Sequence, residues 1–480
     1  MIISIFNDAY EKEEWENFNS MYYRLLLREI GFFDIPRSYM MDLYRFVERN
    51  IGPTVKKVYY GFCLQRKQSV IVIVIDNVFC DKKKTTTYKG LPILYKQWIA
   101  MTEESLKTRK YERYEDSPTF NEDVHAKLHQ CMRRNSAILM RSHSNIEIIG
   151  ASPYRSMEKG KRIRNENCIL IYCTMKNVIP LGETFFAENL GEFRIDIREG
   201  FFYTYPRSMD APLDPKDRHS ELKIGAEISR EDGNLIGTLG GFVNFGIRKE
   251  IGFITCAHVI HDEPEKMIEN DTRVVQPSSG PSWENNVCGV VIKSVHPRSS
   301  DATTVDASLV KVDSSRKPTR MSFTGLGMDK IAKLKFSPDE IYEGKIREDA
   351  ALNASCYKFG ATTNFTSGKL ESRLLTAIHL SDFRDPGQNF EYHDQYTVSS
   401  ISSVFADHGD SGAFVFQCME NSGKKSLECI GMVVGGTSDF KIVVTPIREV
   451  LNALDLHDTK KLCTFEDEQM ETDVTDEKPT

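Results

Sequence analysis

The sequence predicts a multidomain α+β chain. A helical hairpin over 1–52 and a small α/β region over 53–215 lead into an all-β barrel or sandwich domain over 220–458, and an acidic tail covers 464–480. Three observations carry this prediction. Apolar residues recur at helical spacing through the first fifty positions, short β-type runs alternate with helical stretches up to about 215, and nine further short β-type runs fill most of the rest. With 480 residues, 40% hydrophobic and 27% charged, the chain has room for about three domains and is neither collagen-like nor wholly disordered.

In the hairpin, Trp15, Phe18, Tyr22, Leu25, Leu26 and Ile30 share one helical face, with Gly31 as the stop. A second helix begins at Pro36, whose missing amide suits a first turn. It carries Tyr39, Met40, Leu43, Phe46 and Val47 and ends at Asn50-Ile-Gly-Pro53. In the α/β region two stretches resemble each other. Val58–Gly61, Val70–Ile75 and Gly90–Leu94 are matched by Glu147–Gly150, Ile169–Tyr172 and Leu190–Ile195, with a helix through Val124, Leu128 and Met132 between them. This reads as a weak duplication, and chance similarity of buried strands is the competing explanation.

Composition narrows the partners. The run Val70–Ile75 is far shorter than the ~20 residues of a membrane-crossing helix and reads as a buried strand, so no membrane partner is expected. The amino terminus turns acidic within a few residues and does not read as a secretory signal. Eleven cysteines show no paired spacing, which favours a reducing cytoplasmic or nuclear setting. The tail holds seven acids against Lys478, so −6 of the net −7 lies there and the body is near −1; no nucleic-acid partner is expected. The short basic runs Lys82–Lys84 and Lys159–Arg164 read as solvated loop faces. His125 and His129 stand four apart on a predicted helix, which is half of a zinc site, but no second half with ligand spacing follows and no metal is expected. The acidic tail reads as a disordered terminus.

Within 220–458 three segments carry chemistry. Gly252-Phe-Ile-Thr-Cys-Ala-His258 runs a buried strand into a histidine. Thr304-Val-Asp306 places an acid before the strand Ala307–Val312, and Gly409-Asp-Ser411-Gly412 sets a serine in a glycine-flanked turn. Each alone is weak, since a lone histidine after a strand is more often structural than catalytic. Their order changes the odds: His, Asp and Ser follow one another at separations of 48 and 105 residues, with β-type runs distributed around them. Ile447–Leu454 reads as a closing helix behind Pro446.

On these residues the chain resembles the trypsin/chymotrypsin-like (PA clan) serine peptidases over about 220–458. A further match is Gly360-Ala-Thr-Thr363-Asn-Phe-Thr366-Ser-Gly368, similar to a hairpin early in the second barrel of many such enzymes. The resemblance implies a chymotrypsin-like double β-barrel with His258 as general base, Asp306 as its orienting acid and Ser411 as nucleophile. It also implies an oxyanion hole from the amides of Gly409 and Ser411. A primary pocket would be lined by Phe405, Ala406, Asp407, His408, Val434, Gly435 and Gly436, with an apolar or uncharged side chain preferred over the apolar floor at Phe405. Protein or peptide substrates and no cofactor are implied. Two familiar disulfides cannot form, because Val259 and Asp407 stand at their positions, which agrees with an intracellular site. No basic residue precedes an Ile-Val-Gly-Gly-like start, so insertion of a new amino terminus beside Asp410 is not expected, and the partner of Asp410 is left open. His261 completes a His-x-x-His spacing with His258 but has no third ligand in the sequence. A catalytically silent scaffold is the alternative function, and the front half as an inhibitory or targeting domain is a further one.

Overall fold

A computed structural model describes residues 2–465, apart from 29–32, 53, 76–84, 99–101, 103, 105–106, 109–118, 158–161, 205–213, 232, 234, 262–271, 279–285, 298–302, 325–333, 335, 380–389, 401–403 and 422. The stop at Gly31, the run Lys82–Lys84, the first half of Lys159–Arg164 and the tail from 466 onward lie outside the described residues. The chain divides into two compact units. One joins 1–202 to 374–391, and the other joins 203–373 to 392–480.

The first unit holds three helices in its first fifty residues rather than a two-helix hairpin: Ile2–Lys12, Glu16–Leu27 and Arg37–Asn50. The extra helix follows from Phe6, Ala9 and Tyr10, which share one face and are buried. The helices are not a separate domain, because their apolar faces share one core with a five-stranded sheet. Alternate residues Val58, Tyr60 and Phe62 of Val55–Cys63 and Ile71, Ile73 and Ile75 of Gln68–Ile75 fill that core, as the period-two pleat dictates. Phe6 sits at its centre, with Phe18 at 5.4 Å, Trp15 at 5.5 Å and Phe33 at 5.7 Å between ring centroids. Removing so many contacts at once leaves a cavity. Phe6→Ala is therefore expected to destabilise this unit by about 3 kcal/mol, read as a lowered urea midpoint.

The two similar stretches take the same pairing. Val55–Cys63 runs antiparallel to Gln68–Ile75, which is parallel to Leu91–Gln97. Ile146–Ser152 likewise runs antiparallel to Cys168–Cys173, which is parallel to Phe193–Glu199. Each trio follows a helix, Arg37–Asn50 in the first case and Glu122–Ser142 in the second. Leu375, Thr376 and Ala377 add a neighbour to Ile146–Ser152. On the second helix His125 is buried edge-on to Phe120, 5.6 Å away.

In the second unit the strand pairings run in two circuits, of which the second is closed by pairing. The first passes from Glu227–Arg230 through Arg273–Val275, Val287–Val295, Ala307–Val312 and Glu250–Thr255 to Gly241–Phe245. The short strand Gly237–Thr238, just ahead of the last, pairs back with Glu227–Arg230. The second circuit joins Asn364–His379, Ser355–Gly360, Phe414–Asn421, Lys424–Thr437, Ile442–Pro446 and Phe390–Ser400, and the last returns to the first. The helix Ile447–Ala453 follows with Pro446 as its N-cap. Thr464 and Phe465, assigned to the tail by sequence, are instead buried, and Phe465 packs edge-on against Phe242 at 5.5 Å. An aromatic side chain beside a complementary ring gains more from burial than from solvation.

Candidate active site

His258 stands in the single-turn helix Ala257–Ile260, immediately after the strand Glu250–Thr255. That strand pairs with Ala307–Val312 in a register that puts Thr255 opposite Ser308, so the residue ahead of the second strand is carried to the histidine. Asp306 Oδ2 and His258 Nδ1 are 2.6 Å apart, and the His258 amide donates to Oδ1 at 3.1 Å. The Tyr392 hydroxyl donates to Oδ2 at 2.7 Å. Asp306 is buried, which opposes ionisation more than any other single influence. The His258 charge and hydrogen bond, the His296 charge and the Tyr392 hydroxyl together outweigh it and hold the carboxyl well below the usual carboxylate range.

Ser411 lies on a turn clamped to both circuits. Its carbonyl accepts from the Thr238 amide at 2.8 Å, the Gly412 amide donates to Val433 at 2.9 Å, and the Thr238 hydroxyl donates to the Gly409 carbonyl at 2.9 Å. Gly409 and Gly412 have φ of +99° and +93°, where glycine is favoured. At Gly412 a Cβ would also lie 2.4 Å from Thr255 Oγ1 and 3.2 Å from the Cys256 amide nitrogen, so no larger residue fits and the serine turn sits directly against the segment that carries His258. The Ser411 hydroxyl donates to the Val434 carbonyl at 3.4 Å, and His258 Nε2 is buried with no hydrogen-bond partner. The acid–imidazole contact is therefore formed, and among the described residues no hydrogen bond joins the Ser411 hydroxyl to His258 Nε2.

Asp410, next to Ser411, has a partner the sequence left open. Lys358 Nζ lies 3.1 Å from Asp410 Oδ2, and both side chains are wholly buried. Asp410 further accepts from the Thr363 hydroxyl at 2.6 Å and from the amides of Thr362 at 2.9 Å, Asp407 at 3.0 Å and Thr363 at 3.3 Å. A charge so deeply buried persists because it is paired and fully hydrogen-bonded. The sequence signal was a lysine inside the apolar strand Cys356-Tyr-Lys-Phe359, which must find an anion.

The expected pocket is corrected at its floor. Phe405 exposes no surface: its ring packs where Gly368 lacks a side chain, 5.9 Å from Lys358 Nζ, and its carbonyl accepts from the Thr366 hydroxyl at 2.6 Å. It belongs to the interior of the second circuit because an apolar ring gains more there than at a wet rim. Ala406, Val434, Gly435 and Gly436 are buried as well, whereas Asp407 is exposed. His408 is half-buried and stacks on Tyr203, with centroids 5.8 Å apart.

His261 does not join His258 on a common ligand. Its Nε2 lies 3.2 Å from Ser294 Oγ, which is 2.6 Å from Ser308 Oγ. Among the described residues, donor atoms of Cys256, His258 and Asp306 come within 4.8 Å of one another. The Cys256 thiol donates to the Val433 carbonyl and is buried, and burial pushes it well above its usual range, so it is a poor metal ligand there. Sequence reasoning missed Tyr392 and the role of Lys358. A tyrosine in a β-run carries no local mark of the acid it will meet.

Strand pairings and side chains together define a β-rich domain carrying a buried acid–imidazole pair. Residues 293–460 match the family model of Peptidase family S64, a span that includes Asp306 and Ser411 but not His258. Among solved structures the chain is similar to Thermobifida fusca protease A, at 20% identity over 51% of this chain and 99% of that one with a TM-score of 0.32. It is also similar to a Nocardiopsis protease, at 17% identity over 51% and 100% with a TM-score of 0.31. A chymotrypsin from Cellulomonas bogoriensis matches at 15% identity over 51% and 99%, with a TM-score of 0.30. Over residues 293–460 the chain is thus similar to Peptidase family S64.

Proposed function

We propose that this chain is a serine endopeptidase that cleaves protein or peptide substrates through an acyl-enzyme, on a chymotrypsin-like double β-barrel. The observation that carries the reading is the 2.6 Å contact between His258 and the buried Asp306, with Ser411 on a glycine turn packed against the same segment. A serine hydroxyl is a poor nucleophile near neutral pH, so His258 Nε2 takes its proton as Oγ attacks the substrate carbonyl and returns it to the departing amine. Asp306 holds the ring with Nδ1 protonated and stabilises the imidazolium. The tetrahedral oxyanion is met by the amides of Gly409 and Ser411. The ten described cysteines form no disulfide with one another, and a reducing intracellular compartment is the setting we propose.

The orientation of the Ser411 hydroxyl toward Val434 favours the rival reading of a catalytically silent scaffold. Hydrolysis of fluorescently labelled casein by the full chain separates the two. Turnover that disappears in Ser411→Ala is the expected result, and a folded protein with no turnover, or turnover unchanged in the variant, would favour the scaffold.

A further inference from the structure

A buried carboxylate has to be matched by donors on both oxygens, or its desolvation is uncompensated. Asp306 Oδ1 is served by the His258 amide at 3.1 Å, and Oδ2 by the imidazole. The second donor to Oδ2 comes from a distant stretch of sequence: Tyr392, 86 residues on, reaches it at 2.7 Å. Tyr392 is 1% exposed, and Asp306 is equally buried.

The strand that delivers this hydroxyl is tied to the acid's own segment. The His393 amide donates to Thr304 Oγ1 at 2.7 Å, and Gln395 Nε2 donates to the Thr304 carbonyl at 3.1 Å. Gln395 is fixed in turn by the Thr445 hydroxyl, which donates to its Oε1 at 2.6 Å, while Tyr396 pairs with Val444. The phenol is thus held in place by the residues that follow it in the strand. Burial first, and then the adjacent Asp306 charge, push the Tyr392 hydroxyl well above its usual range, so it stays a donor wherever the enzyme would work.

We propose that Tyr392 is a positioning residue for the reaction, its hydroxyl fixing the Asp306 carboxylate and setting how much negative charge that carboxylate presents to His258. The inference rests on the serine-peptidase reading. Two donors on Oδ2 share its charge. Taking one away leaves a stronger acceptor for the imidazolium, and adding strength to one leaves a weaker acceptor. The titratable groups around the carboxylate are His258, His296, Cys256 and Tyr392 itself.

The test measures kcat and KM against pH for the full chain, with wild type and Ser411→Ala in parallel. Tyr392→Phe keeps the ring and removes only the oxygen. Its kcat/KM should fall about tenfold, carried by kcat, and the acid limb of its pH profile should move to higher pH. Site-specific 3-fluorotyrosine at position 392 is a stronger donor in nearly the same shape, and its acid limb should move to lower pH. If Tyr392→Phe does not fold, the fluorotyrosine protein carries the test alone. A purely structural role would lower the unfolding midpoint of Tyr392→Phe and leave both profiles where the wild type has them, and that result overturns the inference while leaving the peptidase reading intact. A wild type that turns over no substrate sinks the peptidase reading and this inference together.

Discussion

On the proposed peptidase reading, Asp306→Asn is expected to lower kcat for peptide hydrolysis about ten-thousandfold while the chain stays folded. The side chains are nearly isosteric, so the buried site keeps its shape, and the change falls on the proton pattern. In the native site Oδ2 lies 2.6 Å from His258 Nδ1 and accepts a hydrogen bond from it. An amide at 306 offers N–H in place of one oxygen, and the Tyr392 hydroxyl competes for the oxygen that remains. The imidazole then turns to its other tautomer and presents a protonated Nε2 to Ser411, which cannot take the serine's proton. Burnt-in loss of charge adds to this, because no carboxylate is left to stabilise the imidazolium. Steady-state kinetics beside a circular-dichroism melt checks it, and a loss smaller than tenfold in folded protein contradicts the assigned role. Lowering the pH does not reproduce the variant. The native carboxyl is held well below the usual range, so it stays ionised down through ordinary acidic pH, and its contribution to stability is lost only as pH falls through that depressed value.

Lys358→Met is expected to destabilise the second unit by about 3–5 kcal/mol and to abolish turnover. Methionine matches the lysine stem closely in volume, so packing is roughly kept and the loss is electrostatic. Asp410 would remain wholly buried with its hydroxyl and amide donors but without the cation 3.1 Å away. The carboxylate must then either take up a proton or swing toward solvent. Swinging out drags the turn from Asp407 to Gly412, because Asp410 Oδ2 accepts from the Asp407 amide and the Asp410 amide donates to the Asp407 carbonyl. The amides of Gly409 and Ser411 ride on that turn, so the proposed oxyanion donors and the proposed nucleophile lose their places together. The double variant Lys358→Met with Asp410→Asn removes the stranded charge and should recover most of the stability, since a buried pair is often replaceable while half of one is not. Urea midpoints of the two single variants and the double variant measure the coupling. A single-variant cost below about 1 kcal/mol would show that the ion pair does not hold the turn.

The candidate site segments were legible because each sets a polar residue at the end of a buried strand. Gly252–Thr255 announces a strand that His258 follows, and Asp306 stands just ahead of Ala307–Val312. The observed strands Glu250–Thr255 and Ala307–Val312 coincide with those runs nearly residue for residue. Strands without an apolar signature were harder to see. Asn364–His379 begins Asn-Phe-Thr-Ser-Gly-Lys, with polar side chains dominating, and Glu227–Arg230 and Arg273–Val275 are short and carry charge. The membership of 374–391 in the first unit was invisible for another reason: Leu375 pairs with Gly150 across more than two hundred residues, and no local pattern encodes so remote a partner. The same limit hid Tyr392. The pocket floor failed differently, because the position taken from the resemblance holds a phenylalanine, and a ring that large moves inward to the space beside Gly368.

The central claim is that Ser411 becomes a nucleophile through His258 and Asp306. Treating the full chain with a fluorophosphonate and locating the adduct by peptide mass spectrometry tests it most directly. A single covalent adduct on Ser411 is expected, formed far more slowly in Asp306→Asn. No adduct in folded protein, or one on a different residue, would contradict the claim.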